Sequence, residues 1–485
     1  MKIISIKIMA CLILISSCNK DLQPYDSKSD EMALATLSDL ETATMGTYAG
    51  MIGPASETFT WYYTILSEYP SDNVALASSS TNHMLQAYDY NHFAGMNCTT
   101  QFWRISYKII HSANRVIEKI EDGASPETDQ LKGENLFLRA MCHFNLVRAF
   151  GRPYTQDSGN NPGVVIKDNT ANDLPARNSV KEVYDFVIND LLKAAELMSV
   201  NKDSRFASKE AAYALLSRVF LYMEDNENSA FYATKVIDSE RYQLAGAELY
   251  KKYFTVVPEQ NPETIFAVRH TISDPYGIVG IMFYNDPVTR ATGYAQMSAS
   301  LTYVNLLDKY PQDIRHSFIE PLLDANGNIE VLYGGLTPCY MVNKYNKQEG
   351  IVNLNSPVYL RLAEMYLNRA EANAKIGNEQ AALDDVNKIR MRAGLSGAAL
   401  YTTNDLKGLN SILEVVLQER RLELAFEGHR VYDLFRNNLP MIRNYPGYHG
   451  LDHLHQTVQP TDNSVVFLIP EYEMNNNPNL TPNPL

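Results

Sequence analysis

Apolar residues at helical spacing organise most of this chain. Over residues 208–224, Ala212, Leu215, Leu216, Val219, Phe220 and Met223 share one helical face. The polar break Glu224-Asp225-Asn226-Glu227-Asn228 follows, then a second stripe of Ala230, Ala233, Val236 and Ile237. The same plan returns downstream, with Leu360, Ala363, Leu367, Ala370 and Ala374, a break at Gly377-Asn378, and then Ala382, Val386 and Ile389. RVFLYMEDNENSAFYATKVI (218–237) and RAEANAKIGNEQAALDDVNKI (369–389) therefore read as two versions of one helix-turn-helix unit. Their alanines let paired helices approach closely, as in tetratricopeptide-type pairs. Further helices are predicted at about 34–52, 59–69, 99–122, 133–150, 179–199 and 410–436. Non-periodic stretches at 71–98, 151–178, 240–356 and 437–485 separate them, with strand-like pieces at Thr264–His270 and Val465–Ile469. The expected class is mostly α, with helix pairs as scaffold, long irregular loops and a few short strands or hairpins. Loops of this length in a compact domain usually carry function.

The first residues follow another pattern. Lys2 and Lys7 precede an apolar run from Ile8 to Ile15, and Ser16, Ser17 and Cys18 follow. A basic start, a short apolar run and small residues predict a secretory signal over 1–17, too short to stay as a spanning helix. Ile15-Ser16-Ser17-Cys18 resembles a bacterial lipoprotein box, in which the cysteine is acylated and becomes the first mature residue; several acyl chains on Cys18 would give stable anchoring. Residues 18–31 are polar and read as a lipidated tether. Beyond it, residues 32–240 and 241–485 are expected to pack as one globular unit. The second region divides into a loop-rich part (241–356), helix pairs (357–436) and a C-terminal segment (437–485).

Composition narrows the function. The chain has 485 residues, 45% of them hydrophobic and 20% charged, which fits neither a disordered tail nor a polytopic membrane protein. Its formal net charge is −14, which argues against a nucleic-acid surface. Five cysteines with no CxxC spacing argue against a disulfide framework or a cysteine metal cage. The unusual entry is 31 tyrosines against two tryptophans.

Six ordered blocks then point to one family: FWRISYKIIHSANRVIEKI (102–120), ENLFLRAMCHFNLVRAFGRPY (134–154), KEAAYALLSRVFLYMED (209–225), VYLRLAEMYLNRAEANAKIGNEQAALDDVNKIRMRAG (358–394), ERRLELAFEGHRVYDLFR (419–436) and IPEYEMNNNPNLTPNP (469–484). With the lipobox, they resemble SusD/RagB-family outer-membrane lipoproteins of Bacteroidetes over essentially the whole mature chain. The resemblance implies a SusD-like fold and a surface-exposed, non-catalytic protein that needs no cofactor. Its partners would be a SusC-like TonB-dependent transporter, on which it sits as a lid, and a nutrient, usually a glycan or oligosaccharide and in some members a peptide. Two other readings are a carbohydrate-active hydrolase and a periplasmic tetratricopeptide-type scaffold.

Several constellations bear on that choice. Glu419, Arg420, Arg421, Glu423, Glu427, Arg430, Asp433 and Arg436 form the densest charge cluster. Glu419, Glu423 and Glu427 fall at i, i+4, i+8 of one predicted helix, whereas a glycosidase needs its two carboxyls on opposite sides of the scissile bond. A structural charge network is expected, completed across to Arg361 or Arg369. His449, Asp452, His453 and His455 form a metal-like cluster, but Gly447 and Gly450 argue for a solvated loop and no metal site is expected. Asp324-Ala325-Asn326-Gly327-Asn328 lacks the sixth-position glycine of a calcium loop and reads as a hairpin turn. No nucleophile elbow or dinucleotide fingerprint stands out. A sugar presents CH-rich faces that stack on aromatic rings while its hydroxyls reach amides and carboxylates. The ligand candidates are therefore loop aromatics and their polar neighbours: Asn82, Tyr88, Tyr90, Asn91, His92 and Phe93 in the first loop; Tyr276, Phe283, Tyr284, Asn285, Asp286 and Tyr294 in the second. Trp61 precedes the first loop and is also a candidate, whereas Trp103 reads as scaffold.

Overall fold

The computed structural model describes residues 33–54, 58–76, 83–274, 277–332, 337–450 and 456–484. The signal, Cys18 and the tether lie outside the described residues, as do Asn82, Tyr276, Asp452, His453 and His455.

The main helices are α1 (Leu37–Ile52), α2 (Phe59–Ser67), α3 (Asn97–Ile117), α4 (Pro126–Phe150), α5 (Val180–Leu197), α6 (Lys209–Met223), α7 (Asn226–Ile237), α8 (Leu301–Leu307), α9 (Leu362–Lys375), α10 (Glu379–Arg392), α11 (Ile412–Leu424) and α12 (Arg430–Arg436). Local chemistry sets several starts. Thr36 and Asp39 form a capping box on α1, and Ser179 and Glu182 another on α5. α4 begins seven residues before the predicted position of 133, because Ser125 caps it and Pro126 sits at its first position.

The two repeated units are α6–α7 and α9–α10. Glu224 turns the chain out of α6 in the left-handed region (φ 61°), and Asp225 caps α7 by accepting the Asn228 N–H at 3.2 Å. Gly377 (φ 84°) does the same work between α9 and α10. The pairs stack through α7 on α9, and fully buried Arg218 of α6 grips Glu364 of α9 with two bonds of 2.6 Å. α4 packs between α3 and α5, and α5 against α6. One hydrophobic core runs through these layers, with members from Tyr48 to Leu480.

The helix predicted over 410–436 is two helices. Ala425 leaves helical geometry (ψ 140°), and Phe426 (φ 69°) and Gly428 (φ 79°) turn left-handed. The break lets the backbone approach α2, so that the Gly428 N–H donates to the Glu68 carboxylate at 2.8 Å. A Cβ on Gly428 would stand 2.4 Å from Ser67 Oγ and 2.8 Å from the Tyr63 hydroxyl. Gly428→Ala is therefore expected to cost about 1–2 kcal/mol, because alanine resists this φ and must push two side chains aside. Chemical denaturation would show it, and an unchanged midpoint would refute the close approach.

The predicted strand at Thr264–His270 is present as β2 (Thr264–Ala267), antiparallel to β6 (Val358–Arg361). Val465–Ile469 is not a strand: a 3-10 turn at Asn463–Val465 leads into extended chain, tied down by the Phe467 N–H donating to the Ala149 carbonyl at 2.9 Å. The long loops contain two further ladders, β1 (Val74–Leu76) with β3 (Met297–Ala299) and β4 (Ile319–Pro321) with β5 (Tyr340–Val342). The turn read at 324–328 is present: the Asp324 N–H donates to the Asn328 carbonyl at 2.8 Å, and Gly327 takes φ 82°.

Candidate ligand-binding face

Three of the non-periodic stretches meet at one place. In the β1–β3 ladder, Val74 lies opposite Ala299 and Leu76 opposite Met297, which joins the first long loop to the second. The third arrives from the C-terminal side. Tyr445 donates its hydroxyl to the Val74 carbonyl at 2.6 Å, and Arg443 donates to the carbonyls of Tyr88 (2.6 Å) and Tyr69 (3.2 Å). Leu322, Cys339 and Met341, on and beside the β4–β5 ladder, close around Tyr284 and Ala295. A loop-built face thus rests on side chains drawn from four parts of the chain.

Most of the predicted rings lie inside that support rather than on its surface. Trp61 is buried with its ring edge-on to Tyr69. Tyr88 is buried beneath the Arg443 guanidinium, 3.7 Å from its ring centre, and its hydroxyl meets His449 Nδ1 at 2.7 Å. Tyr90 packs with Val431, Leu434 and Phe435 and donates to the Pro70 carbonyl at 2.8 Å. Phe283 stacks on Tyr345, and Tyr284 is enclosed by Ala295 and Met341. These five rings are therefore corrected from ligand surface to foundation. Short elements and the loops between them still have to offset their ordering entropy, and burying large rings does so.

His449 is corrected too. It is buried, not solvated, and its second ring nitrogen bonds the Tyr445 carbonyl at 2.9 Å. Burial, reinforced by Arg443, lowers its pKa to about 4, so it serves as a neutral hydrogen-bonding post. Asp286 is committed to a turn: its carboxylate accepts the N–H groups of Thr289 (2.8 Å) and Val288 (3.0 Å), which hold its pKa down.

Phe93, Asn91 and Tyr294 remain exposed. Phe93 is 47% accessible and lies beside Gly95 and Glu471. Tyr294 is 55% accessible at the end of the turn that Asp286 builds. Its N–H donates to the Ile281 carbonyl at 2.7 Å, and Gly293 before it passes so close to the Tyr284 carbonyl that a Cβ would stand 2.1 Å away. Arg290 braces the same turn through Glu330 at 2.7 Å. Half-buried Asn285 adjoins it, and its Oδ1 has no partner. Asn343, Asn346 and Asn353 also carry an unpartnered amide atom each. The last three belong to the amide-rich segment NKYNKQEGIVNLN (343–355), which is largely buried beneath the loops.

The carboxylates that would tempt an enzyme reading are all engaged. Glu419 accepts from Arg315 (2.7 Å) and Arg390 (2.8 Å). Glu423 accepts from Arg361 at 2.5 Å, from Arg392 and from the Tyr250 hydroxyl at 2.8 Å, with Arg315 3.5 Å away. Burial alone would raise the Glu423 pKa, but Arg392, Arg361 and Arg315 outweigh it and hold the group well below the carboxylate range. Glu427 lies past the end of α11, not on one helical face with the other two, and binds Arg361 (2.8 Å) and Lys344 (2.6 Å). Arg361 therefore joins the network as expected, with Glu263 as a further acceptor at 3.2 Å. Arg369 does not join; it pairs with Asp385 on the neighbouring helix at 2.8 Å. Arg420 pairs with Asp433 (2.9 Å), and Arg430 with Asp72 (2.7 Å). Among the described residues, no group of three or more His, Cys, Asp or Glu is placed to hold a metal ion.

Comparison with known proteins matches this architecture. A family model described as the SusD family matches residues 276–485, and one described as starch-binding, associating with the outer membrane, matches 25–221. SusD-like protein P2 of Formosa agariphila is 26% identical, with 98% of each chain covered. A SusD superfamily crystal structure from Bacteroides thetaiotaomicron is 28% identical and superposes with a TM-score of 0.80, covering 93% of this chain and 100% of that one. One from Bacteroides vulgatus, also 28% identical, gives 0.79 over 93% and 99%. With its helix-pair scaffold and loop-built face, the chain belongs to the SusD/RagB family.

Proposed function

We propose that the protein is a non-catalytic glycan-binding lipoprotein of the outer-membrane surface. It is anchored through acylated Cys18 and acts as the lid of a SusC-like TonB-dependent transporter, for which it captures ligand. The observation that carries the reading is the exposed Tyr294 ring on a turn braced by Arg290 and Glu330. A flat, exposed ring on a rigid turn suits a sugar, whose CH face stacks on it. Starch binding in the description of the N-terminal family match supports a glycan ligand, and outer-membrane association in the same description supports the location. The engagement of Glu419, Glu423 and Glu427 by arginine and lysine supports capture over turnover, since a general acid must face its substrate with a tunable pKa.

A glycan and peptide array on the mature protein tests this. Tyr294→Ala is expected to weaken glycan binding about tenfold or more, roughly 1.4 kcal/mol, with an unchanged melting temperature. Phe93→Ala is expected to have the smaller effect. Binding of peptides alone, or glycan binding indifferent to Tyr294, would sink the reading. Pull-down from outer membranes is expected to recover a TonB-dependent transporter.

A further inference from the structure

The C-terminal end of α4 closes on a small cavity built from arginine and tyrosine. About 30 Å³ in volume, it lies between α4, α5, α6, α12 and the turn at Asn463–Val465. That is room for about two water molecules. Arg148, Arg152 and Arg436 reach its wall together with Tyr154, Tyr184, Tyr222 and Tyr432, and among the described residues no aspartate or glutamate lines it.

Only one of the three cations is neutralised. Arg436 holds the Glu371 carboxylate with both amino groups (2.5 and 2.6 Å) and Asp433 at 2.7 Å. Arg152 donates to the Asn463 side-chain carbonyl (2.8 Å) and to the backbone carbonyls of Thr461 and Asp462 (3.3 Å each), all uncharged. Arg148 is 7% accessible and donates to the Tyr222 hydroxyl (3.1 Å) and to the Asn145 side-chain carbonyl. Among the described residues neither Arg148 nor Arg152 has an ion pair. The rings of Tyr432, Phe144 and Tyr222 surround the Arg148 guanidinium, their centres 4.4, 4.8 and 5.5 Å away. Ring faces return part of what a guanidinium loses on leaving water, but they carry no net counter-charge. Three tyrosine hydroxyls are open as well. Among the described residues those of Tyr154, Tyr184 and Tyr432 bond to no protein atom, yet they are not sealed off as the Tyr69 and Tyr284 hydroxyls are. Each is an O–H donor at the wall of a cavity whose lining charges are all positive.

We propose that this cavity is a binding site for one small monovalent anion of halide type. Tyr184 and Tyr432 donate to the ion, and Arg148 serves as its counter-charge, the arrangement in which hydrogen bonds are strongest. Space for about two waters admits a monatomic ion and excludes sulfate, phosphate or a sugar ring. The ion joins α4 and α5 to α12 beneath the Asn463–Val465 turn, so it is a resident structural ligand rather than cargo. The assignment rests on this cavity alone and not on the reading of the Tyr294 face.

Chloride NMR linewidths, measured on the mature protein dialysed into sodium gluconate and titrated with sodium chloride, test the assignment. Saturable broadening is expected, reversed by bromide and not by sulfate. Tyr184→Phe with Tyr432→Phe keeps both rings and removes both donors; it is expected to weaken chloride binding about tenfold, with melting in gluconate as in the wild type. Chloride is then expected to raise the melting temperature of the wild type and not of the double variant. Arg152→Gln, which changes only the rim, is expected to weaken binding in the same direction and supplies the same test should the double variant melt low. Broadening that never saturates, or a chloride affinity unchanged in these variants, would overturn the site. Displacement by formate at lower concentrations than bromide would overturn the halide assignment in favour of a carboxylate.

Discussion

Glu423→Ala is expected to destabilise the protein by about 3–5 kcal/mol, the largest loss from any single truncation argued for this chain. Glu423 is the hub at which Arg361, Arg392 and, at longer range, Arg315 converge, and it is fully buried. Removing its carboxylate leaves guanidinium groups facing one another with less counter-charge in a medium that solvates them poorly. It also strips the Tyr250 hydroxyl of its acceptor. Guanidinium denaturation would register the loss as a lower midpoint at unchanged slope. Replacing Glu423 and Arg392 together by methionine is expected to cost less than the sum of the single changes, since the pair is then removed rather than broken. A loss under about 1 kcal/mol for Glu423→Ala would show that the network is not electrostatically closed.

Stability should peak near pH 5, and Glu68 sets the upper side. This buried carboxylate has no ion pair among the described residues; it accepts from Gly428 N–H (2.8 Å), Ser71 (3.1 Å), Asn73 (3.3 Å) and the Phe426 backbone. Burial dominates over those bonds and raises its pKa from 4.5 to about 7. Between those values the native state holds a proton that the unfolded chain has released, so stability falls as pH rises, by about 1.4 kcal/mol per unit at the steepest. Glu68→Gln cannot release that proton and is expected to flatten the alkaline limb. The opposite limb belongs to Glu371, Asp433 and Glu423. Burial would raise their pKa values, but neighbouring arginines outweigh it and hold them low. Their contribution is present above about pH 4.5 and is lost as pH falls through their native values. Melting temperatures from pH 3 to 8 in both proteins would check this. A wild-type alkaline limb that persists in Glu68→Gln would assign the effect elsewhere.

The scaffold was legible because helix pairs are written in local periodicity and local caps. Ala212 to Met223 and Ala382 to Ile389 name their own buried faces, and Glu224 and Gly377 punctuate them. The break after Leu424 was not legible, since it answers to Glu68 and Ser67, more than 350 residues earlier. The loop aromatics failed for the same reason. Tyr88 is buried because Arg443 and His449 come to it from the far end of the chain, which no window around Tyr88 reveals. The acidic half of the charge network was visible on α11. Its partners Arg315, Arg390 and Arg392 were not, because a basic residue at a distance carries no mark of where it will fold. Tyr294 was visible as a loop tyrosine, but its exposure depends on the Asp286 turn and the close passage of Gly293.

The union of Arg218 with Glu364 bears on the order in which the protein can mature. Its two members are 146 positions apart, and Glu68 and Gly428 are 360 apart. A polypeptide emerging N-terminus first therefore carries a cation destined for the interior with its counter-ion not yet made. Early compaction would strand that charge, so the first helices gain little by closing until the last third of the chain arrives. For a protein exported as proposed, this delay keeps the chain threadable until it has crossed the inner membrane.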